Sequence, residues 1–272
     1  MNKYNCLTKY SVLFFVIFFV SFTAHAETVT LEDLKQSEKI YETNEKSKDP
    51  RSNPAGMGIN DPRILKKASN VKTETEKLNI QLFLAIGDDD VDDAKSHIFQ
   101  GADPNATVPG SDMRILMVAQ SAGMVKMLLE NGAEHNLEDN NGATALHYHV
   151  SAPSALDIVP ILIKAGANVN AAANGLGGRT PLIEAGQWYF EGRDHSVGER
   201  LIRLLVSAGA DINATEYFGK TLLHNAVENN KKDLLKLMLE LGANKRIADA
   251  DGFTPLDRAK NMNLNELANI LE

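Results

Sequence analysis

Only one cysteine, Cys6, occurs in the 272 residues of the chain. It precedes an apolar stretch, VLFFVIFFVSF, which has Lys3 and Lys9 before it and Ala24-His25-Ala26 after it. This is the three-part pattern of a secretory signal peptide. The stretch is shorter than the about 20 apolar residues that a comfortable membrane span needs, and a lipid-attachment cysteine would follow such a stretch rather than precede it. Residues 1–26 are therefore expected to be cleaved after Ala26, which gives a periplasmic or secreted chain without a membrane span; an uncleaved anchor is the alternative. The mature chain then contains no cysteine. Thiol catalysis, cysteine-ligated zinc and disulfide staples are excluded, and stability must come from burial.

Positive charge is scarce as well. The chain has 28 Lys and Arg against 36 Asp and Glu, a net charge of −8, and loss of Lys3 and Lys9 leaves 26 against 36, or −10. Affinity for polyanions rests largely on Lys and Arg contacts, so nucleic acid and anionic lipid are poor partners and another protein or a basic ligand is the better expectation. Apolar residues are thin from residue 27 to about 72, where KDPRSNPAGMGINDPR carries three prolines and two glycines. Such a stretch buries too little surface to offset its ordering entropy. Residues 27–72 are read as a flexible arm with a short helix near Leu31 to Tyr41, or as a segment that orders on a partner.

What the chain does have is self-similarity. A Gly-Ala phrase recurs as GADPN at Gly101, GAEHN at Gly132, GANVN at Gly166, GADIN at Gly209 and GANKR at Gly242, at intervals of 31, 34, 43 and 33 residues. A second phrase keeps step with it: TALHYH from Thr144, TPLIEA from Thr180, TLLHNA from Thr221, TPLDRA from Thr254 and a degenerate RILMVA from Arg114. The Thr residues suit helix starts, and Pro181 and Pro255 suit the first helical position, where the missing N–H has no partner to lose. Each Gly suits the left-handed residue that ends a second helix. Apolar combs such as VPILIKAG and LLKLMLELG lie between. Each unit reads as helix, turn, helix and an extended connection.

These phrases resemble the ankyrin repeat, with its Thr-Pro-Leu-His-x-Ala and Gly-Ala-Asp-x-Asn signatures about 33 residues apart. The resemblance covers roughly Thr73 to Glu272. It implies an all-α repeat solenoid, an ankyrin repeat stack of about six helix-turn-helix units with hairpin-like fingers and a concave face. The units are placed at approximately 73–105, 106–136, 137–170, 171–213, 214–246 and 247–272, with the outer two as caps. Thr73 with Glu76 offers a capping box for the first helix.

Two histidines beside a tyrosine, in GATALHYHV, look like the start of a metal site. The resemblance instead gives His147 and His224 a structural hydrogen-bonding role between neighbouring loops. His149 stands where the family has alanine, and residues two apart on a helix do not share a face. GDDDVDD at Gly87 to Asp93 lacks the glycine and the closing acid of a calcium loop, so it is expected to be a solvated turn that caps the next helix. NGLGGRT, at Asn174 to Thr180, lacks the Gly-Lys-Ser/Thr ending of a phosphate loop and reads as a finger tip. No cofactor, metal ligand set or catalytic motif is found.

Departures from the repeat are the better pointers to function. Thr180 to Gly209 spans 29 residues where Thr144 to Gly166 spans 22, and the excess falls in GQWYFEGRDHSVGER. It holds Trp188, Tyr189, Phe190 and Arg193, residue types that often dominate binding energy; the alternative is that the aromatics pack internally. Ser196 with Glu199 is expected to cap a lengthened second helix. Tyr217 and Phe218 place aromatic surface at a finger tip. Arg114 to Gly132 spans only 18 residues, so the second unit should be shortened.

The leading expectation is an exported, non-catalytic, monomeric module that binds another protein through fingers and concave face, for example an immunity protein that inhibits a toxic effector. Alternatives are a helper that stabilises an exported enzyme and a secreted effector directed at a host. A further alternative is an enzyme with the insertion as lid, built on Glu184, Glu191, Arg193, Asp194 and His195.

Overall fold

The structure, a computed structural model, describes residues 73–190 and 193–272. The signal segment and the arm expected at residues 1–72 lie outside them, as do Glu191 and Gly192.

The described residues form helices in pairs: α1 (Glu74–Gly87) with α2 (Val91–Phe99), α3 (Ile115–Val118) with α4 (Ala122–Glu130), and α5 (Ala145–Val150) with α6 (Ala155–Lys164). There follow α7 (Pro181–Ala185) and a short continuation α8 (Gln187–Phe190) paired with α9 (His195–Ser207), then α10 (Leu222–Glu228) with α11 (Lys232–Glu240), and α12 (Pro255–Asn261) with α13 (Asn265–Leu271). Extended pairing among the described residues is limited to the isolated bridges Thr107 to Arg114, Ala173 to Arg179 and Thr215 to Thr221 at the bases of fingers. The molecule is an all-α repeat stack. No described helix is long and apolar enough to cross a membrane.

Local sequence explains the helix starts. Glu76 N–H donates to Thr73 Oγ1 at 3.2 Å while Thr73 N–H donates to Glu76 Oε2 at 3.1 Å, a reciprocal cap on α1. Thr254 and Asp257 repeat the arrangement on α12, with Pro255 at the first turn. Thr180 Oγ1 accepts from Ile183 N–H at 3.5 Å, with Pro181 following. At the other ends Gly101, Gly132, Gly166, Gly209 and Gly242 have φ between +93° and +111°, backbone that side chains with a Cβ rarely adopt.

The core is one continuous apolar seam along the stack. Leu82, Ile115, Leu146, Leu201 and Leu235, from successive pairs, are fully buried. A buried leucine contributes about 1.5–3 kcal/mol, and each helix pair supplies only part of the enclosure, so stacking is what completes the burial.

The second unit is shortened at its first helix. α3 is a single turn because Ala119 leaves helical conformation at ψ 130°. In the fourth unit Gly186 separates α7 from α8, and a Cβ there would sit 2.6 Å from Leu222 of the next unit. α9 begins two residues earlier than the Ser196/Glu199 pairing implies. Its cap is Asp194, whose Oδ1 accepts from Ser196 N–H at 2.9 Å, while Glu199 bridges Arg203 on the next turn. A carboxylate at an N-cap both accepts the orphan N–H and opposes the positive helix end, and this arrangement replaces the Ser-Glu box.

Candidate functional site

The histidines are joints of the scaffold. His147 Nδ1 accepts from Thr144 N–H at 3.0 Å, so Nε2 carries the proton and donates to Arg179 O of the next unit at 3.1 Å. His224 repeats this with Thr221 N–H at 3.1 Å and Phe253 O at 3.0 Å. Burial pushes the pKa of both imidazoles down, against the opposing effect of these backbone bonds. His149 points the other way along the stack. Its Nε2 donates to Leu116 O at 2.8 Å, a carbonyl that a longer α3 would have used within its own ladder. Burial pushes the His149 pKa down to about 4. The two neighbouring histidines thus bond carbonyls of different units and do not converge on a metal.

A second set of joints was not singled out in the sequence. Asn105, Asn136, Asn170 and Asn213, the final residue of each Gly-Ala phrase, accept from the backbone N–H of Glu134, Asn168, Asp211 and Asn244 of the next unit at 2.7–2.8 Å. Asn105 and Asn170 also donate to Gly132 O and Gly209 O. The recurring Asn was the available signal. Arg246 ends the fifth phrase instead.

The unit-four insertion is largely inward. Trp188 is 5% and Tyr189 3% exposed, which corrects the expectation that they present an open anchor. Trp188 Nε1 donates to Val150 O at 2.8 Å, and Arg193 donates to Ser151 O at 2.8 Å while its guanidinium lies 3.7 Å from the Trp188 ring centre. Val150 and Ser151 end α5, so the insertion supplies donors to carbonyls that a helix C-terminus leaves unpaired. Tyr189 stacks on His195 at 4.9 Å, and Phe190 is half-buried against the core. Gly198 of α9 makes this packing possible: a Cβ there would lie 2.7 Å from Trp188 Cβ. The residues considered for a lid chemistry are dispersed. Glu184 bonds Arg179, Arg193 covers Trp188, Asp194 caps α9 and His195 stacks on Tyr189, while Glu191 lies outside the described residues.

The finger tips of units five and six differ from the insertion. Tyr217 and Phe218 are 62% and 58% exposed, with ring centres 6.1 Å apart. Tyr217 lies across the preceding tip, where a Cβ on Gly177 would come within 2.4 Å of its ring. Phe218 has φ +62°, and its carbonyl accepts from Ala250 N–H of the next finger at 2.7 Å. Phe253, also exposed, stands on that next finger beneath the guanidinium of Arg258 at 4.9 Å. It went unremarked in the sequence, although it follows Gly252 at a place where other units have Ala143, Arg179 or Lys220.

Behind the tips runs a polar network. Arg179 is held between Glu216 at 2.9 Å and Glu184 at 3.4 Å, and Asn225 donates to Glu216 at 2.6 Å. Lys220 meets Glu228 at 2.8 Å, and Arg258 meets Asp249 and Asp251 at 2.6 Å each. Burial alone would raise the Asp249 pKa, but the bonds from Arg258 and from backbone N–H groups outweigh it and hold the carboxyl below its ordinary value. In unit three Tyr148 donates to Asp139 Oδ2 at 2.7 Å; burial, followed by that bond, raises its phenol pKa well above the ordinary range. Turns and first helices are thereby fastened together, and the tips stand on a rigid base.

The family model "Ankyrin repeats (3 copies)" matches residues 82–173, 115–197 and 195–271. Among curated proteins, the chain is 37% identical over 135 residues to neurogenic locus notch homolog protein 1 of Xenopus tropicalis, covering 50% of this chain and 5% of that protein. It is 35% identical over 162 residues to the Homo sapiens protein of that name, and 33% identical over 171 residues to human neurogenic locus notch homolog protein 2, covering 58% and 60% of this chain. The chain spans only about 6% of the length of either human protein. The family is generally a non-catalytic protein-interaction module. With its paired helices, histidine joints and asparagine ladder, and with matches that run through nearly all of the described stack, the chain belongs to the ankyrin-repeat family.

Proposed function

We propose that this chain is a non-catalytic module that is exported and, in the periplasm or beyond, grips one protein partner through the finger tips of units five and six and the adjoining concave face. The observation that carries this reading is Phe218. A large aromatic side chain more than half exposed is held at φ +62°, a conformation that costs an L residue about 1–2 kcal/mol. Glycine would occupy this position without that cost. Strain of this kind persists where something outside the fold uses it, and exposed aromatics on a rigid base are the usual anchors of an interface. The specific form favoured is an immunity-type protein that covers a toxic effector in the same compartment, for which an acidic surface suits a basic cleft.

Photo-crosslinking from positions 217 and 253, with Lys236 on the exposed side of α11 as control, tests this. A partner should crosslink from the tips and not from the control, and Tyr217→Ala should weaken the purified complex at least tenfold. Crosslinks confined to the second helices would refute the reading. Suppression of the partner's toxicity by the wild-type chain, lost in the variant, separates an immunity protein from a helper. An amino terminus at Glu27 in the exported fraction checks the compartment.

A further inference from the structure

The chemistry of the partner can be narrowed from what the tips lack. Residues 73–272 carry 17 Lys and Arg against 28 Asp and Glu, a net charge of −11. Beside the tips stand five carboxylates, Glu184, Glu216, Glu228, Asp249 and Asp251, against three cations, Arg179, Lys220 and Arg258. Each of these cations is already engaged by a carboxylate of the chain, Arg179 by two and Arg258 by three. None is left to meet an acidic partner, whereas the side chain of Asp251 is 65% exposed.

The rings point the same way. The chain stacks its own arginines on its own aromatics, Arg193 on Trp188 and Arg258 on Phe253. Such contacts are favourable because the ring face is electron-rich, and a carboxylate beside the cation adds a charge-assisted hydrogen bond of its own. Phe253 has its internal guanidinium. Tyr217 and Phe218 are exposed, and no cation of the described residues stacks on them.

We propose that the tips of units five and six receive an arginine-rich extended segment of the partner protein, with guanidinium groups stacked on Tyr217 and Phe218 and their charge met by Asp251 and the carboxylate surplus behind it. This rests on the protein-binding reading above and specifies the partner's chemistry.

The test uses the full chain labelled with 15N and a nonapeptide containing four arginines, beside a copy with citrulline in place of arginine, which keeps shape and removes charge. The arginine peptide should shift the amide signals of residues 216–220 and 249–253. Citrulline should weaken binding at least tenfold, and Phe218→Gly at least fivefold, with Asp251→Asn adding a smaller loss. Phe218→Gly should melt no lower than wild type, because it relieves the left-handed strain, so lost binding cannot be ascribed to unfolding. Equal binding of the citrulline peptide, shifts spread evenly over outlying acids such as Asp88 to Asp93, or indifference to Phe218→Gly would overturn the proposal. So would tip signals that move with protein concentration alone, since the occupant would then be a second copy. If a partner crosslinks from 217 but the arginine peptide does not displace it, this inference fails and the binding reading survives. If nothing crosslinks from the tips, the binding reading fails whatever the peptide does.

Discussion

Two helical glycines ought to respond to the same substitution with opposite signs. In an open helix Gly→Ala stabilises by up to about 1 kcal/mol, because alanine loses less backbone freedom on folding. At Gly123 in α4 an added Cβ would meet only Ser121 Oγ and Val91 Cγ2, both at 3.8 Å, which is ordinary contact. Gly123→Ala should therefore gain several tenths to about 1 kcal/mol. At Gly198 in α9 the new atom would fall 2.7 Å from Trp188 Cβ and 3.0 Å from Tyr189 Cε2. Neither neighbour yields easily. Trp188 Cβ is fixed next to its backbone and the indole is tied to Val150 O, while the Tyr189 ring is stacked on His195. Overpacking of this kind costs about 1–3 kcal/mol, which outweighs the propensity gain, so Gly198→Ala should lose roughly 1–2 kcal/mol net. At about 2–4 °C per kcal/mol for a body of this size, the first variant melts up to about 4 °C higher and the second about 2–8 °C lower. Thermal melts read by circular dichroism, repeated as urea midpoints because repeat arrays can unfold in parts, decide the matter. A Gly198→Ala protein as stable as Gly123→Ala would refute the account of the insertion as an inward-packed element.

The remaining predictions concern the joints. Trp188→Ala should cost about 3–5 kcal/mol of stability, visible as a large fall in the urea midpoint; affinity loss with an unmoved melt would make it a contact residue instead. Asn170→Ala removes the bonds to Gly209 O and Asp211 N–H and should cost about 1–2 kcal/mol, with faster hydrogen exchange at the Asp211 amide and little change at the first unit. His149 has its folded pKa pushed down to about 4 from 6.5, so the unfolded chain takes up the proton first. Its contribution is fully present above about pH 6.5 and is lost as pH falls toward 4, a total of roughly 3 kcal/mol by linkage. His149→Gln should flatten the stability profile across that window; an unchanged slope would show that other groups control it.

Much of this molecule was written in its chain order. The helix starts at Thr73, Thr180 and Thr254 follow from residues within one turn of each other, and the left-handed turn at Gly166 follows from the absence of a side chain. Both are local, so sequence reveals them without knowledge of neighbours. The periodic return of these phrases identified the stack because each unit needs the next to complete its burial. The shortened second unit was legible from spacing alone, and so was the lengthened fourth.

What only the tertiary structure decided were the contacts between residues some 30 to 40 positions apart. An aromatic run such as Trp188-Tyr189-Phe190 has the same composition whether it faces solvent or core. Its direction was set by a carbonyl at Val150 that needed a donor and by the space beside Gly198, neither of which is adjacent in sequence. Tyr217 and Phe218 remain exposed for the complementary reason. The next finger takes the backbone oxygen of Phe218, and neither neighbouring tip encloses the two rings. Local grammar specifies how a chain turns; which side chains the turns then enclose is a property of the neighbours they meet.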